Sequence, residues 1–242
     1  MEWSGTGTIL SVRRHGETSA IVELLTRDRG RHLGLVRGGR SRRMRPVLQQ
    51  GNSIAVVWRA RLSEHLGHFT VEPEKLRAAT LMEDRVKLAA LSSLCQMAGL
   101  LPERDAHTEL CDAFGLVLDA LEEGNLWPAL LVRWELGLLE ELGFGLDLTQ
   151  CAASGRRDNL IFVSPKSAKA VCADAGAPYR DRLLALPPFL AGGGEAASAP
   201  PSPGDILAGF ALTGYFFRRH VWAPRGLEGP RAREEVIAML SG

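Results

Sequence analysis

The sequence predicts an α+β protein in which a small five-stranded β barrel is followed by a mostly α-helical domain. Short alternating and β-branched runs fill residues 1–78, and from residue 76 the apolar period changes to that of a helix. The net charge changes sign near the same place. Residues 1–80 hold 14 Lys or Arg against 7 Asp or Glu, whereas the remaining residues hold 15 Lys or Arg against 21 Asp or Glu. We therefore predict a basic first domain over residues 1–78 and an acidic second domain over residues 79–242. A basic domain is the candidate for binding a polyanion, and an acidic one for protein contacts.

The first domain is predicted to contain five strands, at residues 7–13, 19–26, 31–36, 53–60 and 67–72. Five short strands without a long helix among them favour a barrel of the OB type over a sandwich. Such barrels bind single strands through a grooved face, where basic side chains contact phosphates and aromatic rings stack on bases. Trp3, Trp58 and Phe69 are the candidate stacking residues, with core filling as the competing interpretation for each.

Residues 26–46, TRDRGRHLGLVRGGRSRRMRP, hold eight arginines and one acid, Asp28. The turn formers Asp28 and Gly30 predict a hairpin between the second and third strands, and Gly38-Gly39 predicts a flexible arginine-rich loop that closes at Pro46. Crowded guanidinium groups repel one another unless they bind an anion, and arginine suits phosphate. The competing interpretation is a solvated, partly disordered run of charge. The predicted nucleic-acid contacts are Arg13, Arg14, Arg27, Arg29, Arg31, Arg37, Arg40, Arg42, Arg43, Arg45 and Trp58.

The second domain reads as a set of helices around an irregular segment. Apolar periodicity predicts helices at residues 78–97, from 105 or 108 to about 123, and at 126–142, 206–220 and 232–240. Asp205 is the predicted N-cap of the fourth helix. Residues 145–179 are irregular, with a hairpin suggested at residues 159–163. Residues 187–204, rich in Ala, Gly, Pro and Ser, are predicted to form a mobile connector.

Several classes of protein receive no support from the sequence. No apolar run approaches the ~20 residues that cross a bilayer, and the N-terminus does not resemble a signal peptide, so we expect a soluble cytoplasmic protein without membrane contacts. Four cysteines, at residues 95, 111, 151 and 172, are too widely spaced for a disulfide framework. The glycine clusters lack the Lys-Ser/Thr of a phosphate-binding loop, and the serines lack a nucleophile-elbow motif. We therefore predict neither an enzyme nor a bound cofactor.

Seven segments, taken in order, resemble the RecO family of bacterial recombination and repair mediators. Residues 7–22, GTILSVRRHGETSAIV, are similar to the opening strand and Gly-Glu-Thr turn of that family, LTRDRGR at 25–31 is similar to its hairpin, and VRGGRS at 36–41 resembles its arginine loop. LEELGFGLDLTQC at 139–151 resembles the entry to its zinc-ribbon-like insert, and FVSP at 162–165 with AVC at 170–172 matches the second half. YFFRRH at 215–220 stands where the family has its last long helix.

The resemblance implies an OB barrel, a helical domain and a set of activities. It implies binding of single- and double-stranded DNA, annealing of complementary strands and, together with RecR, help in loading the recombinase onto strands coated by single-strand binding protein. It also places the contact with the tail of that protein in the helical domain, for which Phe217, Arg218 and Arg219 are our candidates. The alternative for these basic residues is a favourable interaction with the helix C-terminus. Such a protein would be cytoplasmic and nucleoid-associated.

Two alternative functions remain open at this point. The first is an RNA-binding OB protein associated with the ribosome or tRNA, and the second is a scaffold with an incidental basic loop. Competition between single-stranded DNA and structured RNA separates the first from a DNA mediator, because RNA recognition can use the 2′-OH. A scaffold predicts no strand annealing.

The insert, at about residues 145–180, is expected to be a degenerate form of the family's zinc ribbon. Many family members carry two Cys-x-x-Cys pairs here, which together make a tetrahedral zinc site. In this chain the pairs read Cys151 with Ser154 and Cys172 with Ala175, so one thiolate of each pair is missing. We predict that no structural zinc is bound and that packing holds the insert.

Overall fold

The computed structural model describes residues 1–191 and 200–242, which form two compact units, residues 1–125 and 126–242. The first unit contains a closed barrel of five strands, β1 (Glu2–His15), β2 (Ser19–Thr26), β3 (Gly30–Val36), β4 (Ser53–Arg59) and β5 (His68–Lys75). The strand order around the barrel is β1-β2-β3-β5-β4. The predicted fold class, a five-stranded barrel of the OB type followed by helices, is confirmed.

Alternation of apolar side chains along the strands fills the barrel. Ile9, Val22, Leu24, Ile54 and Val56 are each 2% exposed or less and form one core cluster. Strand β1 is longer than predicted because residues 2–8 pair with β4 while residues 7–15 pair with β2, with a bulge between Ile9 and Ser11. One long strand thus serves both sides of the barrel, and the parallel contact of β3 with β5 closes it.

Three helices complete the first unit: α1 (Ala78–Leu81), α2 (Arg85–Ala98) and α3 (Thr108–Glu123). The single helix predicted at 78–97 is wrong, because the chain breaks before Asp84, whose carboxylate caps α2 by accepting the N–H groups of Val86 (2.9 Å) and Lys87 (3.1 Å). The buried side chain of Arg77 ties α3 to the barrel through Asp119 (2.8 Å) and Glu122 (3.0 Å). The compact unit therefore extends past the predicted boundary at residue 78.

The second unit is mostly helical and includes a small three-stranded sheet. Its elements are α4 (Trp127–Glu141), β6 (Leu160–Val163), β7 (Ala170–Cys172), α5 (Ala173–Gly176), β8 (Leu184–Ala185), α6 (Pro203–Phe217) and α7 (Arg231–Ser241). The strand order in the sheet is β7-β6-β8. Helix α6 packs on α4, and Arg233 of α7 donates to Glu135 of α4 at 2.8 Å in a buried ion pair. In the described part of the chain, no helix is both long and apolar enough to cross a membrane.

The start of α6 and the predicted connector differ from expectation. Ser202 is the N-cap of α6 and forms a capping box with Asp205, so Asp205 occupies the third helical position instead of the cap. Within the predicted connector at 187–204, Pro188–Leu190 forms a 3₁₀ turn that buries Phe189. Residues 192–199 lie outside the described residues, and the prediction for them stays untested.

Candidate nucleic-acid interface

Residues 37–49, which we call the basic turn segment, form a succession of hydrogen-bonded turns. Gly38 opens the segment with a φ of +65°, a conformation that favours glycine. The carbonyl of Ser41 then accepts the N–H groups of Met44 and Arg45 at 3.1 Å each. Val47 and Leu48 are 7% and 5% exposed and belong to the barrel core. The predicted flexible loop is instead an anchored segment, which holds the backbone beneath its arginines in place.

The side chain of a buried asparagine holds the basic turn segment in place through hydrogen bonds. Asn52 is 0% exposed, and its side-chain amide donates to the carbonyls of Pro46 (2.9 Å) and Val47 (3.0 Å). Its side-chain oxygen accepts the N–H of Ala78 at 3.0 Å. All of the amide's hydrogen-bonding partners are therefore backbone groups, and one side chain joins the basic turn segment to the start of α1.

The arginines predicted to contact nucleic acid lie at two ends of the barrel instead of on one surface. Strand β2 separates the β1–β2 turn from the β2–β3 turn by eight residues, or roughly 25 Å. Arg27, Arg29 and Arg31 lie at the β2–β3 turn. The basic turn segment and the end of β1 lie at the other end of β2. Arg40 connects them, because its guanidinium group donates to the carbonyls of Gly16 (3.1 Å) and Glu17 (2.6 Å) in the β1–β2 turn. Arg13 and Arg14, near the end of β1, are exposed at this second end.

At the β2–β3 turn, two of the three predicted contacts are engaged within the protein. The side chain of Arg31 is 18% exposed, makes an ion pair with Glu23 and donates to the carbonyl of Leu101 at 2.7 Å. Its assignment as a phosphate contact is therefore wrong. Arg27 is exposed but makes a bidentate pair with Asp112 at 2.7 and 2.9 Å, which neutralises its charge locally.

The other predicted arginines remain available to an anion. The guanidinium group of Arg40 donates to neutral carbonyls, which leave its charge uncompensated. Among the described residues, no acidic partner pairs with the following exposed arginines: Arg13, Arg14, Arg29, Arg37, Arg42, Arg43 and Arg45. An open cationic surface therefore exists, centred on the basic turn segment.

One groove beside this segment, the Arg37 groove, has a volume of about 620 Å³. Arg37 and Arg43 line it from the basic turn segment, and Arg59 and His68 line it from the facing strands. Arg59 and His68 are direct cross-strand partners on β4 and β5, and Arg37 Nη2 lies 3.4 Å from His68 Nε2. Arg59 and His68 were not predicted, because their position depends on the pairing of two strands that are distant in sequence.

A second groove, the Arg42 groove, has a volume of about 500 Å³. Arg42 and Arg45 line it from the basic turn segment, and the residues just after β5 and in α1 form its other wall. That wall is apolar and includes Leu76 and Met82, whose exposures of 42% and 53% are high for such side chains. Both grooves therefore combine guanidinium groups with apolar surface.

The prediction that Trp58 contacts DNA is wrong. Its ring is 2% exposed in the barrel core, and its indole N–H donates to the carbonyl of Leu66 at 3.0 Å. Phe69 is 4% exposed, and Trp3 packs partly buried against both, with its ring centroid 6.1 Å from that of Trp58. Core filling, the competing interpretation, accounts for Trp58 and Phe69.

Of the three predicted partner contacts at the end of α6, one side chain is buried and two are exposed. Phe217 is 0% exposed and stacks on Trp222 at 5.5 Å, so its assignment to a partner surface is wrong. Arg218 and Arg219 are exposed. Arg219 donates to the carbonyl of Pro165 at 2.6 Å, which places its guanidinium group beside the small sheet.

The two cysteines of the insert lie together. The N–H of Cys172 donates to the sulfur of Cys151 at 3.3 Å, and the Ser154 hydroxyl lies 3.5 Å from the sulfur of Cys172. Burial opposes ionisation of Cys151, but hydrogen bonds from Ser154 and from neighbouring N–H groups lower its pKa below the usual thiol range. Among the described residues, no group of three or more His, Cys, Asp or Glu side chains is placed to hold a metal ion. The expected absence of zinc stays a prediction, as does the kinship of the insert to a zinc ribbon.

Comparison with known proteins bears on this arrangement. The family model described as "Recombination protein O N terminal" matches residues 1–76, and "Recombination protein O C terminal" matches residues 82–226. The chain belongs to the RecO family. The resemblance recognised from these sequence segments is thereby confirmed, and the exposed arginines of the basic turn segment lie within the N-terminal region of a RecO-family protein.

Curated relatives match this RecO-family chain over nearly its whole length. A protein named "DNA repair protein RecO" from Methylobacterium nodulans is 54% identical over 243 residues, covering 99% of this chain and 98% of that protein. The protein of the same name from Sinorhizobium medicae is 52% identical over 237 residues, covering 98% and 94%. That from Methylocella silvestris is 53% identical over 241 residues, covering 100% and 96%.

Proposed function

We propose that this RecO-family protein acts in DNA repair as a non-enzymatic mediator that binds and anneals DNA strands. In this role it helps to load a recombinase onto DNA coated by single-strand binding protein, together with RecR. The observation that carries the proposal is the set of exposed arginines without acidic partners on an anchored segment between two grooves. The names of its relatives and its place in the RecO family support the same role.

The mechanism is charge neutralisation. Two single strands repel one another through their phosphates, and arginine side chains that bind both lower that repulsion while the bases remain free to pair. Because the basic turn segment is fixed by Val47, Leu48 and Asn52, its arginines meet the phosphates without first ordering the backbone.

The test removes four arginines from the basic turn segment: Arg37, Arg40, Arg42 and Arg43. Their replacement by Ala weakens DNA binding and reduces the slope of log affinity against log salt by about 0.7 for each lost contact with a single strand. A control removes the same charge from exposed positions in the second unit: Arg157, Arg180, Arg225 and Arg231. Unchanged affinity and slope in the first variant would overturn the assignment.

The second unit supports the partner-binding part of the proposal. A groove of about 490 Å³ is lined there by Lys166, Arg182 and the 59% exposed ring of Tyr179, and Pro165, which accepts from Arg219, borders it. Cationic groups around an aromatic surface suit an acidic, aromatic-ended peptide such as the tail of single-strand binding protein. A fluorescent peptide of that kind should bind the wild-type chain, and K166A/R182A should weaken it while R157A/R225A does not. Equal affinity for both variants would remove this groove from the proposal.

A competition experiment addresses the alternative of RNA binding. Single-stranded DNA and structured RNA are offered at matched salt, with annealing of DNA coated by single-strand binding protein as the second readout. A DNA mediator retains single-stranded DNA and anneals the coated strands. Preference for the RNA without annealing would contradict the proposed role.

A further inference from the structure

Four of the five arginines of the basic turn segment divide between the two grooves, and the fifth, Arg40, lines neither. Arg37 and Arg43 line the Arg37 groove, whereas Arg42 and Arg45 line the Arg42 groove, and none of the described residues lines both. The backbone explains the division, because successive residues in a tight helical turn point about 100–120° apart, and residues three apart lie on one side. Arg42 and Arg45 are three apart, and the Ser41 carbonyl that accepts the Met44 N–H marks such a turn between them.

The far walls of the grooves are separated along β5. The Arg37 groove reaches residues 68–71 at the start of the strand, and the Arg42 groove begins at Leu76, just beyond its end. The five residues from 71 to 76 span roughly 16 Å in an extended chain. The grooves are therefore two distinct concave surfaces, with the basic turn segment contributing to each.

Each groove has the lining that a nucleotide chain requires. The Arg37 groove carries His68 and Arg59 in addition to its two segment arginines, and Val71 also lines it. Arg59 is paired with Glu2 at 2.8 Å, which neutralises its charge locally, so Arg37 and Arg43 supply the uncompensated charge. The Arg42 groove places its two arginines beside the apolar surface of Leu76 and Met82. Among the residues that line either groove, none is acidic. Guanidinium groups suit phosphates and apolar surface suits the faces of bases, so the chemistry fits a polynucleotide in both places.

We propose that each groove takes one DNA strand, so that a single chain holds two strands at the same time on separate tracks beside the basic turn segment. This inference rests on the proposed annealing function and adds where the two strands lie. The segment would bring the strands close together while keeping both sets of phosphates neutralised. The competing arrangement is one strand that passes through both grooves in succession.

The experiment uses two double variants with the same change in charge, R37A/R43A and R42A/R45A. The control R157A/R225A removes two exposed arginines of the second unit, and melting temperatures establish that all variants are folded. Two non-complementary oligonucleotides of about eight nucleotides, within the range of OB-fold site sizes, carry a donor and an acceptor dye. Energy transfer and native mass spectrometry then report how many oligonucleotides one chain holds.

Wild type and control are expected to hold two oligonucleotides per chain and to show energy transfer. Each double variant is expected to hold one, to lose the energy transfer and to anneal complementary strands more slowly. If wild type binds DNA but holds only one oligonucleotide, or if either double variant still holds two, the inference is overturned while the proposed DNA binding stands. If the four-arginine variant described above binds DNA like wild type, the proposed function itself fails, so the two failures are distinguishable.

Discussion

Replacing Asn52 by Ala tests whether the basic turn segment owes its order to one buried side chain. The substitution removes two donations, to Pro46 and Val47, and one acceptance, from the N–H of Ala78, all at 2.9–3.0 Å. Each hydrogen bond of this kind contributes about 0.5–1.5 kcal/mol, and the backbone groups left behind are without their partner. We therefore expect the free energy of unfolding to fall by about 2–4 kcal/mol.

The assay combines urea unfolding with amide hydrogen exchange of residues 41–48. The variant should lose protection in these residues, and DNA binding should weaken with a nearly unchanged salt slope, because every arginine remains. The matched control is Gln49→Ala, which removes one exposed hydrogen bond, to the carbonyl of Arg45 at 2.6 Å. That control should change stability by less than about 0.5 kcal/mol.

The aspartate variant separates the two roles of the side chain. Asn52→Asp keeps an oxygen for the N–H of Ala78 but turns an oxygen toward the two carbonyls that the amide bound. It should therefore destabilise the chain at least as much as the alanine variant. A loss below 0.5 kcal/mol in the alanine variant, or unchanged exchange at residues 41–48, would refute the reasoning.

Two further predictions concern the same unit. His32 is 4% exposed beside Trp58, and burial lowers its pKa from 6.5, so the unfolded chain binds the proton more readily than the folded chain. The free energy of unfolding should therefore fall as the pH drops from about 6.5 through the lowered pKa. In urea titrations, His32→Gln should flatten this dependence on pH, and an equal slope in the variant would contradict the prediction. Arg77→Ala leaves two carboxylates without their buried partner and should lower the free energy of unfolding by about 2–4 kcal/mol. Arg27→Ala removes an exposed pair and should lower it by less than about 1 kcal/mol. Equal melting temperatures for the two variants would refute this contrast.

The sequence predicted the barrel well because its signal is local. Alternation along β2, β3 and β4 follows directly from one face of each strand being buried. The same alternation also predicts that Trp58 is buried, which contradicts its assignment as a DNA contact. Ile54, Val56 and Trp58 are spaced by two residues and therefore share a face, so the burial of the first two implies that of the third.

The errors at the arginines have a different cause, since they depend on strand pairing. Arg31 lies opposite Leu25, which places it diagonally from Glu23 on the same face of the β2–β3 pair. That ion pair follows from the register, which composition does not reveal. The hairpin also sends the two halves of a continuous arginine run to opposite ends of β2. Charge density in the sequence therefore overestimated how much of the run forms one surface.

Non-local contacts decide the remainder of the candidate site. Arg59 and His68 join the Arg37 groove because β4 and β5 pair, and α3 carries Asp112 to Arg27 from 85 positions along the chain. Helix periodicity identified α3 but gave no sign of which barrel residues its acidic side chains would meet. Such pairings require the assembled unit, and they decide which guanidinium groups remain free.

The burial of Trp58 and Phe69 also bears on how the proposed DNA interface would discriminate between base sequences. Phosphate contacts carry no sequence information, whereas base-edge contacts do. The grooves offer guanidinium groups and apolar surface together with a few polar side chains, Ser41, Gln49, His68 and Thr70. Guanidinium groups hold the phosphate backbone and apolar surface accepts the face of any base. Affinity on such a surface depends on salt far more than on base composition. The proposed annealing role is consistent with this arrangement, because the specificity of annealing would then come from base pairing between the strands.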